Sequence, residues 1–464
     1  MKLENRTYDE LAVGDRAEQR RLVTTDDLVG FAAVSGNFNM MHLPAEFSQA
    51  PAGAQQVAPG MFVASLVSAV LGNKLPGPGT LYQAQSLRFH ARAHAGEELL
   101  TVVSVTAKHD DGSVTFDTMV QRPSDGALIL SGEARVSAPQ EKFQRDDVRL
   151  PGLVVQRHRH FEALLERTRP LPPIPTAVVV PEEANSLGGA VLAAQETIII
   201  PLLIGRPAAI AAAAREINAD LSGFEIIEAS THDQAARIAC ALVREGRAEA
   251  VMKGHLHTDD LLRPMLDRER GLRVGRRFTH VFVMDVPGVD HPIMVTDAAI
   301  NIAPDLATKV DIVQNAIDLA HALGISTPLV GVLSAVETVN PAIQSSIDAA
   351  LLSKMAERGQ IKGGLVDGPL AMDNAIDIGA ARTKGIRSDV AGRAQILVVP
   401  GLDAGNMLAK QLAYVSHAEG AGLVLGARVP VILNSRADSS MARLASCAVA
   451  SLHFHRSKES AAAH

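Results

Sequence analysis

The sequence has no tryptophan, and aromatic residues make up only 3% of its 464 residues. Its cores must therefore be built from Ala, Val, Leu and Ile rather than from stacked rings. Aromatic platforms for single-stranded bases are excluded on the same ground. Cysteine is scarce too. Cys240 and Cys447 allow one bridge at most, so no disulfide framework is possible and a reduced, cytoplasmic protein is expected. There is no cationic excess. The net charge of −7 argues against a nucleic-acid partner held by a basic face. Long apolar runs are missing as well. "LAAQETIIIPLLIG" is broken by polar residues and Pro and falls short of the ~20 residues of a span, so no membrane segment is expected. "MKLENRTYDEL" lacks the apolar stretch of a secretory leader. What is present is 47% hydrophobic and 20% charged, at a length that predicts more than one domain.

Two textures divide the chain. Residues 1–140 hold a helical patch around Leu66 to Leu71, then the alternating runs "LYQAQSLRFHARA", "ELLTVVSVTAKHD", "SVTFDTMVQR" and "LILSGEARVS". Their period of two predicts antiparallel strands in an α+β domain, with the sheet wrapped around one helix. Residues 141–172 are charged, Pro-rich towards their end and poor in periodicity, and are expected to form a linker. From 173 to 464 the rhythm is strand, loop, helix. Apolar β-branched runs such as "TAVVV", "TIIIPLLIG" and "AEAVM" alternate with amphipathic segments. This predicts an α/β domain with a parallel sheet covered by helices on both faces.

Sites in such sheets lie beyond the carboxyl ends of strands. The segments to read there are "KGHLHTDDLLRP", "VDGPLAMDNAI", "GLDAGNMLAKQL" and "NSRADSS". Each sets Gly, Ser, Thr, Asn or a charge before a helix, where free N–H groups and the dipole favour phosphate. His255, His257 and Asp259 imitate a zinc motif. Asp260 stands where a further partner is expected, and Lys253 nearby would repel a cation. No metal is expected; the plainer reading is that Thr258 or Asp259 caps the helix.

Taken together and in this order, the four segments resemble the signatures of the phosphate acetyl/butyryltransferases. The resemblance covers most of residues 175–455. It implies an isocitrate-dehydrogenase-like fold of two α/β subdomains with a cleft between them. It also implies exchange of a short acyl group between coenzyme A and inorganic phosphate, with no bound cofactor and small molecules as the only ligands. The chemistry suits these residues. Two polyanions must be gathered and aligned, which is a task of position and electrostatics. The resemblance makes Ser435 and Arg436 the phosphate-binding pair. Arg263, Lys253, Thr258, Asp403, Asn406 and Lys410 become candidates for holding CoA or phosphate. A helix start would explain Asp403, Asn406 and Lys410 equally well, with Gly405 giving a tight turn. Asp297 and Asn301 of "VTDAAIN" resemble cleft residues, though a helix cap would explain Asp297 as well. A carboxylate must take the thiol proton. Acetyl-type members carry it where this chain has Ala442, which leaves Asp438 and Asp373 as the candidates. The same fold also serves metal- and NAD-dependent hydroxyacid dehydrogenases, but the aspartate cluster they require is not evident.

The first half has a resemblance of its own. "VSGNFNMMHLPAEF", "VAPGMFVASLVSAVLG" and "SLRFHARAHAGEEL" resemble a MaoC-like hotdog domain, over about residues 5–138. This implies hydration of trans-2-enoyl-CoA, and a homo-oligomer, dimer or higher. A hotdog domain fused to a phosphate acyltransferase is itself a recognisable architecture, that of a bifunctional enoyl-CoA hydratase/phosphate acetyltransferase. The hydratase motif runs Asp-x-Asn-Pro-aliphatic-His. Here Asn39 and His42 match, while Asn37 replaces the Asp and Met40 the Pro. An amide cannot take a proton from water, so hydration should be weakened. Glu46 is the near carboxylate and is not expected to rescue it. Pro59 stands where hydratases carry His, and Gly60 could still offer N–H groups to a thioester carbonyl.

Overall fold

The computed structural model describes residues 3–44, 56–145, 159–435 and 438–462. The chain divides into two compact units, Met1–Val155 and Gln156–His464.

The smaller unit is a 6-stranded antiparallel sheet with the helix Gly60–Asn73 packed on it. The central order is Arg16–Leu22, Glu98–Lys108, Ser113–Arg122, Ala127–Ser137, Leu81–Gln85, and Arg88–Phe89 also pairs with Ala127–Ser137. The run 81–93 is thus two short strands rather than one. The helix buries Phe62, Val63, Leu66, Val67, Val70 and Leu71 against Leu99, Val103, Phe116 and Leu130. Each such side chain contributes about 1.5–3 kcal/mol when fully buried. The sequence showed one helical patch, but a second helix, Thr25–Ser35, precedes it. Its start is a capping box. Asp27 N donates to Thr24 Oγ1 at 3.1 Å, and Thr24 N donates to Asp27 Oδ2 at 3.0 Å. Gly36 ends it at φ 69°, a left-handed conformation that glycine adopts at no steric cost.

The larger unit is built on an 11-stranded sheet, and it is mixed rather than parallel. Glu225–Glu228, Ile199–Gly205, Ile174–Val179, Ala250–Lys253 and Val431–Ile432 run parallel to one another. Ile293–Thr296, Ile396–Val398, Leu329–Leu333 and Leu365–Leu370 form a second parallel block. Between the blocks lie Glu419–Leu425 and Thr279–Asp285, antiparallel to each other and to both flanks. The blocks therefore point in opposite directions. Their carboxyl ends open on opposite rims of one continuous sheet.

Helices cover the sheet as the alternating rhythm predicts. The helix Arg159–Thr168, from the charged stretch after the first domain, buries Phe161 and Leu164 in this unit's core. Helix Ser440–Ala462 packs against Ala184–Gln195. Among the described residues no helix is long and apolar enough to cross a membrane.

Candidate active site

A cavity of about 460 Å³ opens where the loops after Ala250–Lys253 and Val431–Ile432 meet the helix Leu402–Tyr414. Its polar lining includes Lys253, Thr258, Asn406, Lys410, Ser435 and Asp438. Leu256, Phe282, Met284, Leu433 and Ala442 supply an apolar side.

Lys253 is the last residue of its strand and is only 3% exposed. Its Nζ donates to Asn434 O at 3.2 Å, tying it to the neighbouring loop. The next residue must be glycine. A Cβ at Gly254 would lie 2.2 Å from Val180 O, so no side chain fits where the loop leaves the sheet. Asp438 closes the Ser435 turn: its Oδ2 accepts from Ser435 N at 2.8 Å and from Asn434 Nδ2 at 3.2 Å. Asn434 Nδ2 also donates to Ser446 Oγ at 3.0 Å. Arg436 lies outside the described residues, as does Glu46 of the smaller unit.

The remaining candidates are spread more widely. Arg263 is exposed and lines an adjoining hollow of about 440 Å³, which shares Thr258 and Ala299 with the main cavity. Asp403 is exposed, one turn before Asn406, and is not part of the lining. Asp373 follows Leu365–Leu370, in the block whose carboxyl ends face the other rim. The N–H of Asn374 and the Lys384 amine hold its carboxyl below the usual carboxylate range, with Lys384 Nζ 3.2 Å away. Neither Thr258 nor Asp259 caps its helix. The helix is Thr258–Met265, its N-cap is His257, and no side chain bonds there. His255 Nδ1 instead meets Glu183 Oε2 at 2.7 Å. Asp297 caps no helix either. It is 2% exposed and ties a loop, accepting from Ala299 N, Ile300 N and Asn301 Nδ2 at 3.0, 3.0 and 2.6 Å. Gly405 is inside its helix rather than in a turn, and glycine is required there because a Cβ would lie 2.6 Å from Asp297 O.

One residue of this region escaped the reading of the sequence. Arg443 is 1% exposed, in the helix behind the cavity. Its two terminal nitrogens donate to Lys253 O at 3.3 Å and to Ser435 O at 2.9 Å. A lone charge in the run "MARLASCAVASL" was the available signal. The two thiols offer no nucleophile, since burial pushes Cys240 up to about 11 and Cys447 up to about 12.

Two buried imidazoles give the unit an acid limit. Desolvation pushes His280 down from its ordinary value of 6.5, against the opposing charge of Asp297, and pushes His453 down to about 4. A depressed histidine contributes stability that is fully present above 6.5 and is lost as pH falls towards 4. Urea melts at pH 7 and pH 5 should show a lower midpoint at pH 5, and His453→Gln should shrink the difference. Equal midpoints would contradict this.

In the smaller unit the stretch after Gly36 is a chain of local turns. Asn37 Oδ1 accepts from Asn39 N, and Asn39 Oδ1 from Met41 N, both at 3.2 Å. His42 Nδ1 lies 2.9 Å from Val57 O. A carbonyl can only accept, so Nδ1 carries the proton and Nε2 is left with the lone pair. Phe38, Met40 and Met41, just before it in the chain, are exposed, as is Met61 in the first turn of the helix Gly60–Asn73. Gly60 opens its helix beneath Phe89, whose ring leaves no room for a Cβ (2.9 Å).

Comparison with known proteins fits both units. Residues 231–451 match the family described as phosphate acetyl/butaryl transferase, and residues 12–122 match the MaoC like domain. A phosphate acetyltransferase of Rhizobium meliloti is 56% identical over 296 residues, covering 64% of this chain and 94% of that protein. A phosphate butyryltransferase of Clostridium beijerinckii is 42% identical over 300 residues, covering 65% of this chain and 99% of its own length. A branched-chain phosphotransacylase structure from Enterococcus faecalis superposes with a TM-score of 0.54 at 31% identity, over 61% of this chain and 99% of that one.

Proposed function

The chain belongs to the phosphate acetyl/butyryltransferase family, and from that premise we propose that acyl exchange takes place in the cavity beside Lys253 and Ser435. The larger unit transfers a short acyl group, acetyl or butyryl, between coenzyme A and inorganic phosphate. The metal- and NAD-dependent dehydrogenase alternative finds no support. The observation that carries the assignment is the convergence of a buried lysine, a serine turn and a carboxylate on one cavity wall.

In the direction of acyl-phosphate synthesis, a phosphate oxygen attacks the thioester carbonyl carbon. The C–S bond then breaks, and the CoA sulfur leaves with the electron pair. Lys253 supplies a fixed positive charge, and Ser435 with Arg436 binds the phosphate. Thr258, Asn406 and Lys410 orient the substrates, while Arg263 in the adjoining hollow takes a CoA phosphate. Asp438 handles the sulfur's proton through Oδ1, since Oδ2 holds the turn. In the reverse direction it removes the thiol proton as sulfur attacks the acyl phosphate. Asp373 is set aside because it belongs to the opposite rim.

A panel of acyl-CoAs with phosphate, followed by released thiol, tests the reading and sets the chain length. Lys253→Met should lower kcat/KM roughly tenfold to hundredfold, the scale of one hydrogen-bonded charge at about 1.5–3 kcal/mol. No released thiol from wild type, or an undiminished Lys253→Met, would overturn it.

For the MaoC-like unit the reading is a weakened hydratase. His42 Nε2 can accept a proton, but Asn37 provides no second base. The Gly60 helix start is left to bind the thioester carbonyl.

A further inference from the structure

Arg443 is an expensive residue to keep where it is. A guanidinium taken out of water is repaid only by close partners, and an apolar side chain of its size usually serves a core better. Among the described residues no carboxylate hydrogen-bonds it, although the charges of Asp438 and Glu183 act on it, and its buried Nε has no hydrogen-bond partner. Its bonds go to main-chain oxygens, of Lys253 and of Ser435. These are the two loops whose side chains face the cavity from the front. Lys253 Nζ to Asn434 O crosses the same gap, so the loops are braced twice. Space for the arginine is made on purpose. A Cβ on Gly189, in the neighbouring helix, would lie 2.6 Å from Arg443 Cβ and 2.7 Å from its Cδ.

We propose that Arg443 is a positioning residue for phosphate, fixing the main chain of Ser435 against that of Lys253 so that the anion-holding groups keep one spacing. The proposal rests on the reading of this cavity as the exchange site. Planarity is what the role requires. A guanidinium reaches the two carbonyls with separate terminal nitrogens held in one rigid plane, which fixes their spacing, whereas an ammonium gathers its donors on a single nitrogen at the end of a flexible stem. A mere filler of the helix interface would need neither the fork nor the charge.

Kinetics on the full chain separates these roles. Arg443→Lys, which keeps the charge, and Arg443→Met, which keeps the bulk, should each raise the KM for phosphate about tenfold, the scale of a charged hydrogen bond. The KM for acyl-CoA should stay within about twofold, because its determinants lie elsewhere in the cavity. Gly189→Ala keeps the arginine but crowds it, and should shift the phosphate KM in the same direction. It also serves if Arg443→Met does not fold. Equal rises in both KM values, or a lower melting temperature with an unchanged phosphate KM, would overturn the proposal. A wild type that releases no thiol would instead sink the exchange-site reading, so the two failures are distinguishable.

Discussion

Asp438→Asn should cut acyl transfer to CoA by about 10²–10⁴-fold in kcat, the usual contribution of a positioned general base, while leaving KM values nearly unchanged. The substitution is well suited to the question. The asparagine oxygen can still accept from Ser435 N, so the turn that Asp438 closes is preserved. What is removed is the ability to take a proton, together with the negative charge that faces Arg443. The loss should also shrink as pH rises, since a free thiol ionises by itself near pH 8.5 and then needs no base. Asp373→Asn is the control, because its carboxylate is occupied by Lys384 beyond the opposite rim. A fall of less than about threefold for Asp438→Asn, or a larger fall for Asp373→Asn, would assign the proton to another group.

The second large effect is a gain. Asn37→Asp should raise hydration of a trans-2-enoyl-CoA by about 10²–10⁴-fold, by restoring the missing base. An aspartate oxygen can accept from Asn39 N as the amide oxygen now does, so the turn should tolerate the change. His42→Ala in the Asn37→Asp background should remove the gain, because Nε2 is the other proton carrier. Wild-type hydration as fast as that of Asn37→Asp would show that this amide does not disarm the site.

The ordered segments and the alternating strands were legible because they depend on local pattern and on residue type. Strand direction was not, since it depends on connections across the sheet. That mattered for the candidate residues. Collecting every loop beyond a strand's carboxyl end placed "AMDNA" beside "KGHLH", although their strands point opposite ways. Asn406 and Lys410 still reach the cavity, because their helix runs back along the sheet from its start at Leu402. The central strand Glu419–Leu425 carries two glycines, which interrupt its apolar run and weaken the strand signal. They are demanded by packing. A Cβ at Gly422 would lie 2.2 Å from Leu433 O, and one at Gly420 would lie 3.2 Å from the Met284 sulfur. Arg443 was missed because burial of a single charge leaves no periodic trace.

Tyr414 stands on the cavity wall, 71% exposed, in a chain with 3 tyrosines and no tryptophan. The others, Tyr8 and Tyr82, belong to the smaller unit. The larger unit thus carries a single fluorophore, placed where substrate arrives and unmasked by indole emission. Phosphate and CoA binding can be followed in the native protein as the part of the tyrosine emission that Tyr414→Phe removes, with Tyr8 and Tyr82 left as the background and no label attached.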